Sequence, residues 1–196
     1  LHRKTLAIVL IVAALVNFGV NGIQYAIQLH LVSCGTNATS IGFISGGISL
    51  MMLVGSLLAG KLSDKVPVGP TVCLAYLFIC LCVLPMTLTD SYWIMLVANS
   101  FVGLPFPLIN AMLLGFIFAK SPTSMQGRIT VTLTVPAQVL SMFCSAVAGT
   151  LLPVFGFHGA VLVFLAVLVA SAVLVICSRS IRSIPKAAQW EHTMLR

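Results

Sequence analysis

The chain has 196 residues, of which 60% are hydrophobic and only 7% charged. Soluble domains carry about 25% charged residues, so the composition excludes an ordinary soluble globular protein. The formal net charge of +7 could point to nucleic acid, but basic residues beside apolar segments read as the cytoplasmic borders of membrane helices, and no nucleic-acid partner is expected.

Runs free of Asp, Glu, Lys and Arg cover residues 5–60, 66–89, 91–119 and 129–178. A membrane helix needs roughly 20 apolar residues, so the first and last runs each read as two passes. The expected fold is all-α: a polytopic membrane protein with six transmembrane helices in residues 1–178, followed by a basic cytoplasmic tail at 179–196. The first apolar run is too long for a cleavable signal peptide and lacks a small-residue cleavage site. The cysteines at 34, 73, 80, 82, 144 and 177 show neither metal-ligand spacing nor a secreted disulfide pattern, and read as small packing residues.

Residues 1–4 form a basic lead-in. The first helix is expected over 5–32. Its Asn17, Asn21, Gln24 and Gln28 recur at helical spacing, which places four amides on one face. An unpaired amide in hydrocarbon costs several kcal/mol, so this face must meet water, a ligand or partner helices. Inter-helix hydrogen bonding is one reading; four amides exceed what such bonding needs, which favours cavity lining. Asn37-Ala38-Thr39 forms a glycosylation triplet in a short turn. The second helix, expected over 39–62, pairs Gly42 with Gly46, Ser45 with Ser49, and Ser56 with Gly60. Small residues four apart let helix backbones approach closely.

Gly60-Lys61-Leu62-Ser63-Asp64-Lys65 is a charged stretch between apolar segments, and Pro67, Gly69 and Pro70 after it forbid a continuous helix. The third helix, over 71–89, is nearly uniformly apolar and reads as peripheral and lipid-facing. Asp90 or Ser91 can cap the fourth, expected over 92–119, which carries Asn99, Asn110 and the stretch Gly103-Leu104-Pro105-Phe106-Pro107. Two prolines beside a glycine predict a bend at mid-membrane depth, either static or moving. The loop at 120–128 offers Ser121 or Thr123 as a cap for the fifth helix. That helix, over 123–153, sets Thr134, Gln138, Ser141 and Ser145 in a second polar stripe. After a turn at 155–159, the sixth helix, over 160–177, is almost pure Val, Leu and Ala.

With six spans, all ten Lys and Arg residues fall on one side. The positive-inside rule makes that side cytoplasmic, with both termini there, in a plasma or inner cell membrane. The amides sit on helices one and four, the small and hydroxyl residues on two and five, and three and six are bland. That is a three-helix unit used twice in opposite orientations, a mark of secondary transporters.

Gly60, Leu62, Asp64 and Lys65 match the signature Gly-x-Leu-x-Asp-Arg/Lys that follows the second helix of a six-helix half in the major facilitator superfamily, which the chain resembles. Its Gly-basic-basic ending is replaced by Pro67-Val68-Gly69-Pro70, a weakened form similar to the copy in C-terminal halves. Gln126-Gly127-Arg128 resembles the macrolide-efflux and enterobactin-exporter branch. The resemblance implies one half of a twelve-helix transporter, with an N-terminal six-helix half of the same transporter as its partner. It also implies a central cavity lined by the first, second, fourth and fifth helices.

The expected substrate-binding residues are Asn17, Asn21, Gln24, Gln28, Asn99, Asn110, Thr134, Gln138 and Ser141. The expected gate is Gly60, Asp64, Lys65 and Arg128: Gly60 for close approach, Asp64 near the fifth helix's positive N-terminal end, and Arg128 or Lys65 as its counter-charge. A plain surface charge is the bland alternative. Asp64, Asp90 and Glu191 all lie outside mid-membrane, so proton coupling, which needs an intramembrane ionisable group, would rest on the other half; His30 is the one candidate here. The reading is a secondary active transporter that exports a small molecule, with the bilayer and protons as further partners. It needs no cofactor, metal or catalytic set and is not an enzyme. The alternative is a permease subunit or scaffold beside a separate energy-coupling partner.

Overall fold

The computed structural model describes residues 3–63, 65–119, 123–182 and 184. Its elements are α1 (Arg3–Ser33), α2 (Ala38–Leu62), α3 (Val68–Val83) running into a 3-10 turn (Leu84–Thr87), α4 (Tyr92–Val102), α5 (Phe106–Ala119), α6 (Thr123–Cys177) and the short α7 (Arg179–Arg182). Among the described residues, five apolar stretches are long enough to cross a membrane, α4 and α5 together forming one of them. The protein is a multi-pass helical membrane protein.

The last stretch is far longer than one crossing needs. Phe18 on α1 meets both ends of it: Cys144 Sγ donates to the Phe18 carbonyl oxygen (3.3 Å), and the Phe18 and Phe164 rings lie 5.7 Å apart. A straight helix would separate residues 144 and 164 by about 30 Å, so α6 doubles back between them. The reversal is at Gly156, with φ 68° and ψ −178°, a conformation open almost only to glycine. One non-helical residue thus does the work of the turn expected over 155–159.

The two limbs of α6 grip α1. Val9, Val12, Val16, Val20, Ile23, Ile27 and Leu31 are buried along α1 at three- and four-residue spacing, the period of one helix face. Gly19 and Gly22 open the way on that helix: a β-carbon at Gly19 would come 2.7 Å from Leu168, and one at Gly22 would overlap the Phe164 ring.

The bend expected in the fourth segment is present between α4 and α5. Gly103 and Leu104 close 3-10-type turns on Ser100 and Phe101, and α5 restarts with Pro107 in its first turn, where a missing N–H costs nothing. The break is pressed against α2. A β-carbon at Gly103 would sit 2.6 Å from the Ile48 carbonyl oxygen, and one at Gly55 would overlap the Leu104 carbonyl oxygen.

Several local expectations change. The close seam on α2 uses Gly47 and Gly55, whereas Gly42, Gly46 and Gly60 face open space; four-residue spacing occurs on several faces, and only the neighbour decides which one packs. Asn37 of the glycosylation triplet caps α2 by accepting from the Ser40 amide (2.8 Å). Ser91 makes no side-chain cap, and Asp90 instead accepts from His158 Nε2 (3.1 Å). Within this unit, α3 buries Val72, Tyr76, Ile79 and Val83, and the second limb of α6 buries Phe164, Leu168 and Ala172. Helix α2 buries only Ile44, Gly55 and Ala59.

Contacts sort the connections into two ends. At one, His30 stacks on Phe157 (4.4 Å), His158 meets Asp90, and Tyr92 Oη donates to the Ser40 carbonyl. At the other, the Gly69 amide donates to the Ile184 carbonyl and Gln126 reaches the Phe118 carbonyl. Lys61, Lys65, Arg128, Arg179 and Arg182 belong to the second end.

Candidate functional site

The two polar stripes meet across one cavity. It is an open cleft of about 580 Å³, walled by α1, α5 and the first limb of α6. Helix α1 supplies Asn17, Asn21 and Tyr25, each one turn beyond the last. Helix α5 supplies Asn110, and α6 supplies Thr134, Gln138 and Ser141; Leu113, Leu114 and Met142 add apolar wall. The stripes touch where Asn21 Nδ2 donates to Ser141 Oγ (3.3 Å).

Helix geometry fixes what these groups can offer. Asn17 Nδ2 donates to the Ala13 carbonyl and Asn21 Nδ2 to the Asn17 carbonyl, both at 2.8 Å. Thr134 Oγ1 donates back to the Thr130 carbonyl at 2.9 Å. Side chains that bond their own helix four residues back keep the amide carbonyl or the hydroxyl lone pairs as their free groups. Gln138 and Asn110 are exposed to the cavity. Its described lining contains no Asp, Glu, Lys, Arg or His. The chemistry on offer is neutral hydrogen bonding between apolar walls, which suits an uncharged or weakly charged ligand.

Of the expected binding residues, Asn17, Asn21, Asn110, Thr134, Gln138 and Ser141 are brought together, and three are not. Gln28 Nε2 donates to Ser45 Oγ (3.4 Å) and ties α1 to α2, the packing role weighed against cavity lining. Gln24 is half-buried and lies outside the lining. Asn99 is 1% exposed, buried on α4, and its Nδ2 has no partner among the described residues. Tyr25 joins the cavity lining from four residues past Asn21, a position on the same stripe that helical spacing makes visible, whereas Leu113 and Met142 are not separable in sequence from other apolar residues.

Of the expected gate, Asp64 lies outside the described residues, as do Lys120, Ser121 and Pro122 and the stretch at 183 and 185–196. Lys65 and Arg128 are exposed, and among the described residues no neighbouring element comes within 4 Å of the place a Gly60 β-carbon would occupy.

No curated protein matches the chain significantly. The sequence profile of the Major Facilitator Superfamily matches residues 8–194. That match runs through every helix described above and the whole cavity, so the chain belongs to the Major Facilitator Superfamily of transporters.

Proposed function

We propose that the protein moves an uncharged or weakly charged amphipathic small molecule across the cell membrane by alternating access, as a secondary active exporter. The observation that carries this reading is the cavity itself: two polar stripes from distant parts of the chain converge on one neutral, partly apolar space. Amides and hydroxyls exposed at membrane depth are costly against lipid, so this face is read as closed by a second six-helix unit, the N-terminal half of the same transporter. Counting the limbs of α6 separately makes six crossings, arranged as two inverted three-helix repeats. With the basic end cytoplasmic, both termini lie inside. The export direction and the macrolide-efflux-like branch rest on Gln126-Gly127-Arg128 alone. Protons are the proposed coupling ion, taken up by the other half, and no catalytic step is assigned.

The test is transport in inverted vesicles of the full protein, using a panel of uncharged amphipathic compounds with the pH gradient imposed or collapsed. At least one compound should accumulate only with the gradient. Gln138→Leu should slow it about tenfold, the loss expected for one ligand hydrogen bond in an apolar site, at unchanged protein level in the membrane. Gradient-independent movement of every compound, or a fully active Gln138→Leu, would overturn the reading.

A further inference from the structure

Behind the main cavity lies a second space of about 80 Å³. The two share Val9, Ala13, Asn17, Asn110 and Leu113 in their walls, so they are neighbouring rooms with the Asn17 and Asn110 carboxamides at the doorway. The inner room runs between α1, α3 and α5 and is closed by Val16, Tyr76, Phe106 and Ile109.

Two features mark it as more than a packing gap. First, a void left by imperfect packing is apolar, whereas this one has the Tyr76 phenol in its wall. Tyr76 is 2% exposed, so its phenol is withdrawn from solvent at this wall, and tyrosines in apolar surroundings ordinarily use the hydroxyl in a hydrogen bond. Second, the room lies beside the chain break between α4 and α5: Phe106, in its wall, is the first residue of α5.

From this geometry we infer that the inner room is a specificity subsite. It receives one end of the transported molecule, an uncharged and mostly apolar group carrying a single hydroxyl or carbonyl, with Tyr76 Oη as its hydrogen-bond partner and Phe106 as its aromatic wall. The inference rests on the proposed transport cavity and adds the feature that selects among amphipathic molecules. A charged end is excluded, because the room holds no counter-charge and is too small to carry an ion's hydration with it. The Asn17 and Asn110 amides at the doorway admit the polar tip without requiring it to be dehydrated in one step.

The experiment uses the full protein in membranes, with Ile109→Cys and, separately, Val16→Cys reporting on the inner room and Thr134→Cys on the main cavity. Each is labelled with N-ethylmaleimide, a small neutral reagent, and read by peptide mass spectrometry, which separates the new site from the native cysteines. Labelling of Cys at 134 and at 109 or 16 is expected. Phenol should slow the inner-room reaction several-fold and toluene, its near-isostere, should not. Tyr76→Phe should weaken phenol protection roughly fivefold while leaving labelling at 134 unchanged. If 134 labels and neither inner position does, or if phenol and toluene protect alike, the subsite is wrong and the cavity stands. If 134 itself is unreactive, the cavity reading fails with it.

Discussion

Glycine shows most plainly how one residue type takes opposite roles in this protein. At Gly22 a β-carbon would overlap the Phe164 ring, whereas at Gly60 it would meet nothing. Overpacking a filled interface costs about 1–3 kcal/mol, so Gly22→Ala should lower the melting temperature of the detergent-solubilised protein clearly. Gly60→Ala should stay within about 0.5 kcal/mol of the parent, as surface changes do. A Gly60→Ala protein that folds normally yet no longer transports would return that residue to a gating role in another conformation. The amides divide in the same way. Asn21 faces the cavity and Gln28 ties α1 to α2, although both lie on the stripe that helical spacing picks out. Spacing assigns a face, and the neighbouring helix then assigns the function.

At the scale of elements, the fold depends on two interruptions in otherwise apolar helix. The break between α4 and α5 was legible from Gly103, Pro105 and Pro107, because proline cannot supply the backbone donor that a continuous helix requires. The reversal at Gly156 was legible as a turn, but not as a single residue. Its φ of 68° with ψ of −178° is strained for any side chain by about 1–3 kcal/mol. Gly156→Ala should therefore destabilise the protein by an amount in that range, read as earlier unfolding in a thermal melt, and should weaken the packing of both α6 limbs on α1. An alanine variant as stable as the parent would show that the reversal does not need the left-handed backbone.

For the whole molecule, the distribution of basic residues predicts which end faces which compartment. Cys34 is exposed beside the end that gathers His30, Phe157 and Asp90, while Lys65 is exposed at the basic end. With the basic end cytoplasmic, a membrane-impermeant maleimide added to intact cells should label Cys34 and spare Lys65→Cys, and in inverted vesicles the pattern should exchange. Labelling of both from one face would refute the assignment of sides. The His158–Asp90 contact also lies at the Cys34 end. Both side chains are about half exposed, 43% and 56%, and such pairs contribute 1 kcal/mol or less, so it positions a turn more than it holds the fold.

The linear chain by itself determined the class of protein. Charge-free apolar runs of membrane length admit helices and little else, since backbone groups in hydrocarbon must bond within their own segment. It also determined that polar faces exist on the first helix and near Gln138, because a 3.6-residue period is a property of sequence. Only the tertiary structure decided that α2 is the least buried helix within this unit, that Gly47 and Gly55 rather than Gly42 and Gly46 make the close seam, and that Asn99 and Gln28 stand apart from the cavity. Those outcomes depend on which surfaces meet across large sequence separations, as Asn21 meets Ser141, and no local period encodes such a meeting.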